Sequence, residues 1–242
     1  EVILGEPERL KRLAVDIYKH FTEAQDADPD RRQKAMIACS NRTIAYNLLM
    51  QFKEQFPQWF EERKSPWEDT LPKEELDKLK PMPTIAMVAT NGKNDPDEMY
   101  NYLGGVTNSD RNDTLDSSFK QENSNFRIVI VVDMWITGFD VPCLTYLYND
   151  KPLQKHTLIQ TISRVNRKAQ GKDFGLIIDY IGIRDNMLEA MKTYGGGCEN
   201  LAPSDDDVAQ AYDVFKEHLE ILKQLFAGFD LSGFLKEDAN PV

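Results

Sequence analysis

The chain has 242 residues, 41% of them hydrophobic, which is enough for one good-sized core and excludes wholesale disorder. Its 40 acidic residues outnumber 29 basic ones, for a net charge of −11, which argues against a general nucleic-acid-binding surface and leaves phosphate contact to a local patch or to backbone N–H groups. No apolar run is long enough for a membrane span.

Leu10, Leu13, Ala14, Ile17 and Phe21 recur at helical spacing and predict an amphipathic helix over residues 6 to 25, followed by a polar loop with Pro29. Lys34 to Cys39 predicts a short strand. Ser40-Asn41-Arg42 then offers cap and turn chemistry before a helix carrying Ile44, Ala45, Leu48, Leu49 and Phe52. Pro57 to Pro83 is rich in Pro, Lys and Glu and predicts a surface insertion with a short helix at Lys73 to Leu79. Its Trp59 and Trp67 could stack on bases, but more often such residues anchor a loop to the core. Thr84 to Thr90 predicts a strand, Asp97 to Leu103 a short helix ended by Gly104-Gly105, and Asp110 to Gln121 a helix with Leu115 and Phe119 facing in.

The run Arg127-Ile128-Val129-Ile130-Val131-Val132 is too short for a helix and predicts a central strand buried on both faces. Further strands are predicted at Leu144 to Tyr148 and, again buried, at Phe174 to Ile181, with a helix from Leu153 to Arg167 between them. Strands separated by helices call for a parallel sheet with helices on both faces. Met187, Leu188, Ala190 and Met191 are helically spaced, and Tyr194-Gly195-Gly196-Gly197 is the clearest break. Residues 1–194 are therefore expected to form one α/β domain and 195–242 the start of a C-terminal helical region, whose helix runs from Asp205 to Phe226. The three cysteines are far apart and lack metal-ligand spacing, so a reducing cytoplasm is the expected setting. The chain opens at Glu1 without Met or a signal-peptide pattern, and is expected to be a piece of a longer protein.

Two stretches carry chemistry. Asp133-Met134-Trp135-Ile136-Thr137-Gly138-Phe139-Asp140-Val141-Pro142 follows the strand at 127–132 and resembles motif V of superfamily 2 helicases. Gln160-Thr161-Ile162-Ser163-Arg164-Val165-Asn166-Arg167 resembles motif VI, with Ser163 where Gly is usual. Their wording is most similar to the motor of the restriction (R) subunit of type I restriction-modification enzymes. The resemblance covers most of residues 1 to 182 and implies the second RecA-like lobe of an ATP-driven motor, with the turn at Ser40 in the place of motif IV.

Phosphoryl transfer is catalysed mainly by positioning and charge stabilisation, and the planar guanidinium suits a phosphate better than an ammonium does. The resemblance makes Arg167 the arginine finger, Arg164 a second phosphate contact or a coupler of the lobes, and Gln160 an ordering group. It places Asp140 on the ribose or on the motif VI arginines and makes Gly138 part of the ATP site. Ser40, Asn41, Arg42 and Thr137 become the DNA-binding candidates. Several have a plainer alternative. An arginine pair on a helix is ordinarily a solvated face, Asp140 could be a turn residue, and Ser40 or Asn41 could be a helix N-cap, a role compatible with phosphate contact. Asp133 could cap its loop or link it to motif VI, and His156 reads as an ordinary helix residue.

The sequence lacks a Gly-x-x-x-x-Gly-Lys-Ser/Thr loop, an Asp-Glu-x-x strand end and a nuclease cluster, and Asn91-Gly92-Lys93 lacks the residues of a phosphate loop. ATP and Mg2+ are therefore expected mainly on another lobe of the full-length protein, and the fragment alone is expected to be inactive. By resemblance, the partners are double-stranded DNA and the modification and specificity subunits. The other readings are a second lobe of a different superfamily 2 DNA or RNA helicase, and a non-catalytic RecA-like scaffold.

Overall fold

The computed structural model describes residues 4–135, 140–153, 161, 163, 165, 166, 172 and 174–182. Five strands form one sheet in the order β2-β3-β1-β4-β5. They are β1 (Lys34–Cys39), β2 (Ile85–Val88), β3 (Ile128–Val131), β4 (Leu144–Asp150) and β5 (Leu176–Asp179). Every pairing is parallel, with Ala35 opposite Ile128 on one side of β1 and Tyr146 on the other.

Strands β1 to β4 are buried at every position because both faces of the sheet are covered. Side chains alternate along a strand, so Ala35, Ile37 and Cys39 of β1 meet one layer, and Met36 and Ala38 the other. The first layer is α1 (Pro7–Ala27), α2 (Arg42–Gln55) and the Met99 and Leu103 side chains at α4 (Asp97–Tyr102). The second is α5 (Asn108–Lys120), through Leu115 and Phe119, together with the helical segment that holds Val165. Leu10, Leu13, Ala14, Ile17 and Phe21 form the buried stripe of α1, as their spacing predicts. This is the α/β parallel sheet with helices on both faces that the RecA-like reading requires.

Two expectations need correction. The β3 run is internal, but the middle of the sheet is β1, because the chain crosses from β1 to β2 and returns to place β3 between them, while β4 and β5 lie on the other side of β1. β5 is not buried: it pairs only with β4 among the described strands, and Leu176 is 37% and the preceding Phe174 53% exposed. The expected helical region over 195–242 lies outside the described residues.

The insertion at 57–83 lies off the sheet, at its amino edge. It contains a 3-10 turn (Pro57–Phe60), the short helix α3 (Lys73–Leu76) and an antiparallel bridge between Arg63 and Met82. Thr84 N donates to the Trp59 carbonyl at 2.8 Å and Asn125 N to the Lys64 carbonyl at 3.0 Å. Trp67 is buried, donates from Nε1 to the Pro29 carbonyl at 2.8 Å, and has the Arg32 and Arg127 guanidinium groups 3.8 and 4.5 Å from its ring centre. Trp59 packs among Tyr18, Phe21 and Phe52. Both tryptophans therefore anchor the insertion to the core.

At the same edge Lys34 is fully buried, and its Nζ donates to the carbonyls of Phe119, Gln121 and Phe126 at 2.8, 2.8 and 2.9 Å. It thereby fastens the carboxyl end of α5, where unpaired carbonyls attract a cation. Burial pulls the Lys34 ammonium down to about 7.

Candidate functional site

In a parallel sheet the loops that follow the strands gather at the carboxyl edge, and a crevice opens where neighbouring connections diverge. Here β1 leads toward β2 and β3 leads to β4 on the opposite side. A cleft of about 350 Å³ lies between them, with Ser40, Asn41, Arg42, Thr90, Asp133 and Met134 on its wall.

The turn after β1 resolves the alternatives for its three residues into separate structural contacts. Asn41 is the N-cap of α2, its Oδ1 accepting from Ile44 N at 2.9 Å. Ser40 Oγ donates to the Asp150 carbonyl at 3.1 Å, joining the ends of β1 and β4. Arg42 donates to Asp95 Oδ1 at 2.8 Å and to the Thr90 carbonyl at 3.1 Å, so it holds the loop after β2. All three residues line the cleft.

Past β3, the Asp133 carboxylate pairs with Lys151, whose Nζ also donates to the Val132 carbonyl at 2.8 Å. Asp133 thus ties the motif V-like loop to the segment just after β4. Trp135 has a φ of 67°, a left-handed conformation that a bulky side chain rarely adopts. Its ring centre lies 5.8 Å from that of Phe119. Backbone strain of this kind is held in place by surrounding packing and often marks a working loop. Asp140 is exposed and lies outside the cleft lining, just before Val141 and Cys143, which are buried on the α5 face. Thr137, Gly138, Gln160, Arg164 and Arg167 lie outside the described residues, as does His156.

Three further features, two at this edge and one at the amino end of β5, leave no pattern in the sequence that pairs their residues. The Asp150 side chain, at the end of β4, is wholly buried and makes a two-pronged ion pair with Arg9 of α1, one prong of 3.2 Å. Asn149 Nδ2 donates to the Lys151 carbonyl at 3.0 Å and to Asp179 Oδ1 at 3.2 Å, binding the end of β4 to that of β5. Gly175 meets the backbone of Val165 so closely that a Cβ would overlap the Val165 carbonyl group. Thr161 and Val165, four residues apart, are buried, while Ser163 and Asn166 are exposed. A Gly before an apolar run was the available signal for the third feature; nothing in the sequence pairs Arg9 with Asp150.

Burial pushes the thiols of Cys39 and Cys143 up, which leaves both as inert core groups. Among the described residues there is no group of three or more His, Cys, Asp or Glu arranged to hold a metal, and no helix long and apolar enough to cross a membrane.

Known proteins resemble this chain, one of them along its whole length. The type I restriction enzyme HindI endonuclease subunit of Haemophilus influenzae is 33% identical over 252 residues, a match that covers 100% of this chain and 21% of the relative. The type I restriction enzyme SsaAORF53P endonuclease subunit of Staphylococcus saprophyticus is 37% identical over 102 residues, covering 41% of this chain and 10% of that one. The chain therefore spans about a fifth or less of these relatives' lengths. Among solved structures, Mss116p bound to ssRNA and AMP-PNP aligns with a TM-score of 0.45 and 15% identity, over 77% of this chain and 28% of that chain. The family model for type I restriction enzyme subunit R domain 3 matches residues 9–182, well over half of the sequence. The chain belongs to the family of type I restriction enzyme R subunits, as their domain 3.

Proposed function

We propose that this chain is the second motor lobe of the restriction subunit, and that in the full-length protein it works in ATP-driven translocation of double-stranded DNA before cleavage. The observation that carries the reading is the match to R-subunit domain 3, which spans both the cleft at the carboxyl edge and the motif VI-like stretch. In this reading Arg167 is the arginine finger and Arg164 a second contact to the γ-phosphate. Gln160, Gly138 and Asp140 complete the ATP side, and Ser40, Asn41, Arg42 and Thr137 face DNA phosphates.

Mg2+ and most of the ATP contacts belong to the other lobe. Two carboxylates at the described cleft, Asp133 and Asp95, are paired with Lys151 and Arg42, and among the described residues neither belongs to a group of three ligands that could hold a metal. When bound, ATP supplies the phosphoryl bond whose hydrolysis drives the motor. This chain's part is to place guanidinium charge against the phosphate and to hold the DNA backbone. The protein would act in the cytoplasm beside modification and specificity subunits.

The test is Arg167→Lys in the full-length subunit. Lys keeps the charge but loses the planar fork. Loss of an arginine finger costs on the order of 10³ to 10⁵ in turnover, so ATP hydrolysis should collapse while folding, DNA binding and ATP affinity change little. Normal hydrolysis by Arg167→Lys removes the finger assignment. Measurable turnover by the purified 242-residue chain, abolished by changing one of its own residues, removes the reading of this chain as half of a composite site.

A further inference from the structure

The stretch Asn91-Gly92-Lys93 is not a phosphate loop, yet the structure gives it a definite task. Gly92 N donates to Asp95 Oδ2 at 2.6 Å, turning the loop after β2 so that the other carboxylate oxygen meets Arg42 at 2.8 Å. The Arg42 guanidinium passes so close to Gly92 that a Cβ there would overlap it. The loops after β1 and β2 thus close on a single ion pair at the wall of the cleft. The Arg42 side chain is 35% exposed and the Asp95 side chain 6%. Arg42 can therefore be reached from solvent, while its carboxylate partner sits behind it.

An arginine held by a carboxylate and a carbonyl has part of its donor fork engaged, and the carboxylate opposes any phosphate that approaches. We propose that Asp95 restrains this lobe's grip on DNA by sharing Arg42 with the phosphate backbone. A motor that moves along a duplex must release each phosphate it holds, and a contact weakened in advance lets go more easily. Asp95 is a tuning residue here and acts only through Arg42. The inference rests on the reading of the cleft as the DNA-facing edge.

The test measures binding of the full-length subunit to a labelled DNA duplex across a salt series. Asp95→Asn keeps the shape and removes the charge, and Gly92→Ala displaces the guanidinium while leaving the carboxylate's charge in place. Both should bind DNA several-fold more tightly, and the slope of log K against log salt should steepen by about one, the signature of one more phosphate neutralised. Adding Arg42→Gln to either variant should abolish the gain. Asp97→Asn, which removes the same charge from an exposed residue at the start of α4, should change the slope far less. The proposal is overturned if Asp95→Asn leaves the slope unchanged, if its gain survives Arg42→Gln, or if Asp97→Asn matches it. If Asp95→Asn does not fold, Gly92→Ala decides by the same criteria. A full-length wild-type subunit that does not bind duplex even at low salt sinks the DNA-facing reading instead, a separate outcome.

Discussion

Gly175, just ahead of β5, lies against the backbone of Val165 with no room for a side chain: a Cβ there would overlap the Val165 carbonyl and come 3.0 Å from Val165 Cβ. The obstacle is backbone, which cannot swing aside as the tip of a long side chain does. Gly175→Ala must therefore displace the helical segment that holds Val165 or push back the entry to β5. Overpacking of this kind costs about 1–3 kcal/mol. We expect a lower urea midpoint and, in the full-length subunit, a fall in ATP turnover with ATP affinity nearly kept. A wild-type midpoint together with wild-type turnover would show that the contact constrains nothing.

Arg9 and Asp150 give a sharper test of stability. Asp150 is 0% exposed and both of its carboxylate oxygens are bound by Arg9, so removing that partner leaves a carboxylate stranded in the core. Arg9→Met should cost about 3–5 kcal/mol, as loss of one partner of a buried pair does. The double change Arg9→Met with Asp150→Leu should recover much of that loss. Equal stability of the single and double variants, measured by urea unfolding, would count against a buried-charge penalty.

Lys34 makes stability depend on pH in a defined direction. Its folded value of about 7 lies below the unfolded value of 10.5, so between them the unfolded chain keeps a proton that the folded chain has released. Raising the pH removes the cost of taking that proton off, so this group's contribution to folding rises with pH across the window. Lys34→Met lacks the titration and leaves the carbonyls of Phe119, Gln121 and Phe126 without this donor, at about 1–3 kcal/mol for a buried group left unpaired. We expect the gap in unfolding free energy between wild type and Lys34→Met to widen from pH 7 to pH 8.5. A constant gap would mean that the three carbonyls keep the ammonium charged throughout.

Trp67→Ala should release the insertion from the sheet. Truncating a buried tryptophan costs about 3–5 kcal/mol, and here it also strips the Arg32 and Arg127 guanidinium groups of the ring beside them. Limited proteolysis should then cut first between residues 57 and 83. Cleavage elsewhere first, at unchanged stability, would show that Trp67 is not the anchor.

Local pattern made the strands and helices legible. The i, i+3, i+4 spacing from Leu10 to Phe21 marks the buried stripe of α1, and the β-branched run at 128–131 marks β3. Cap chemistry put the start of α2 at Ser40 or Asn41, and Asn41 is the cap. Sheet order and edge exposure were not legible, because they depend on which strand inserts where. That is why β3 gave up the middle to β1, and why the apolar β5 run proved half open. The cleft was legible only through the paired motifs. Its internal wiring was not, because Arg42 with Asp95, Lys151 with Asp133 and Arg9 with Asp150 are joined across distant parts of the sequence. No local period encodes such pairs.

The strand order also sets the timetable of folding during synthesis. β1 and β2 do not pair with each other; each pairs with β3, and β1 also with β4. A nascent chain that has not yet exposed Ile128 therefore carries two sticky apolar strands and none of the ladder bonds of the described sheet. When β3 emerges it bridges both strands at once, and the arrival of β4 seals the open side of β1. Until then α1 and α2 are the elements at hand to cover these strands, so the first half of the domain completes its sheet only when its second half arrives.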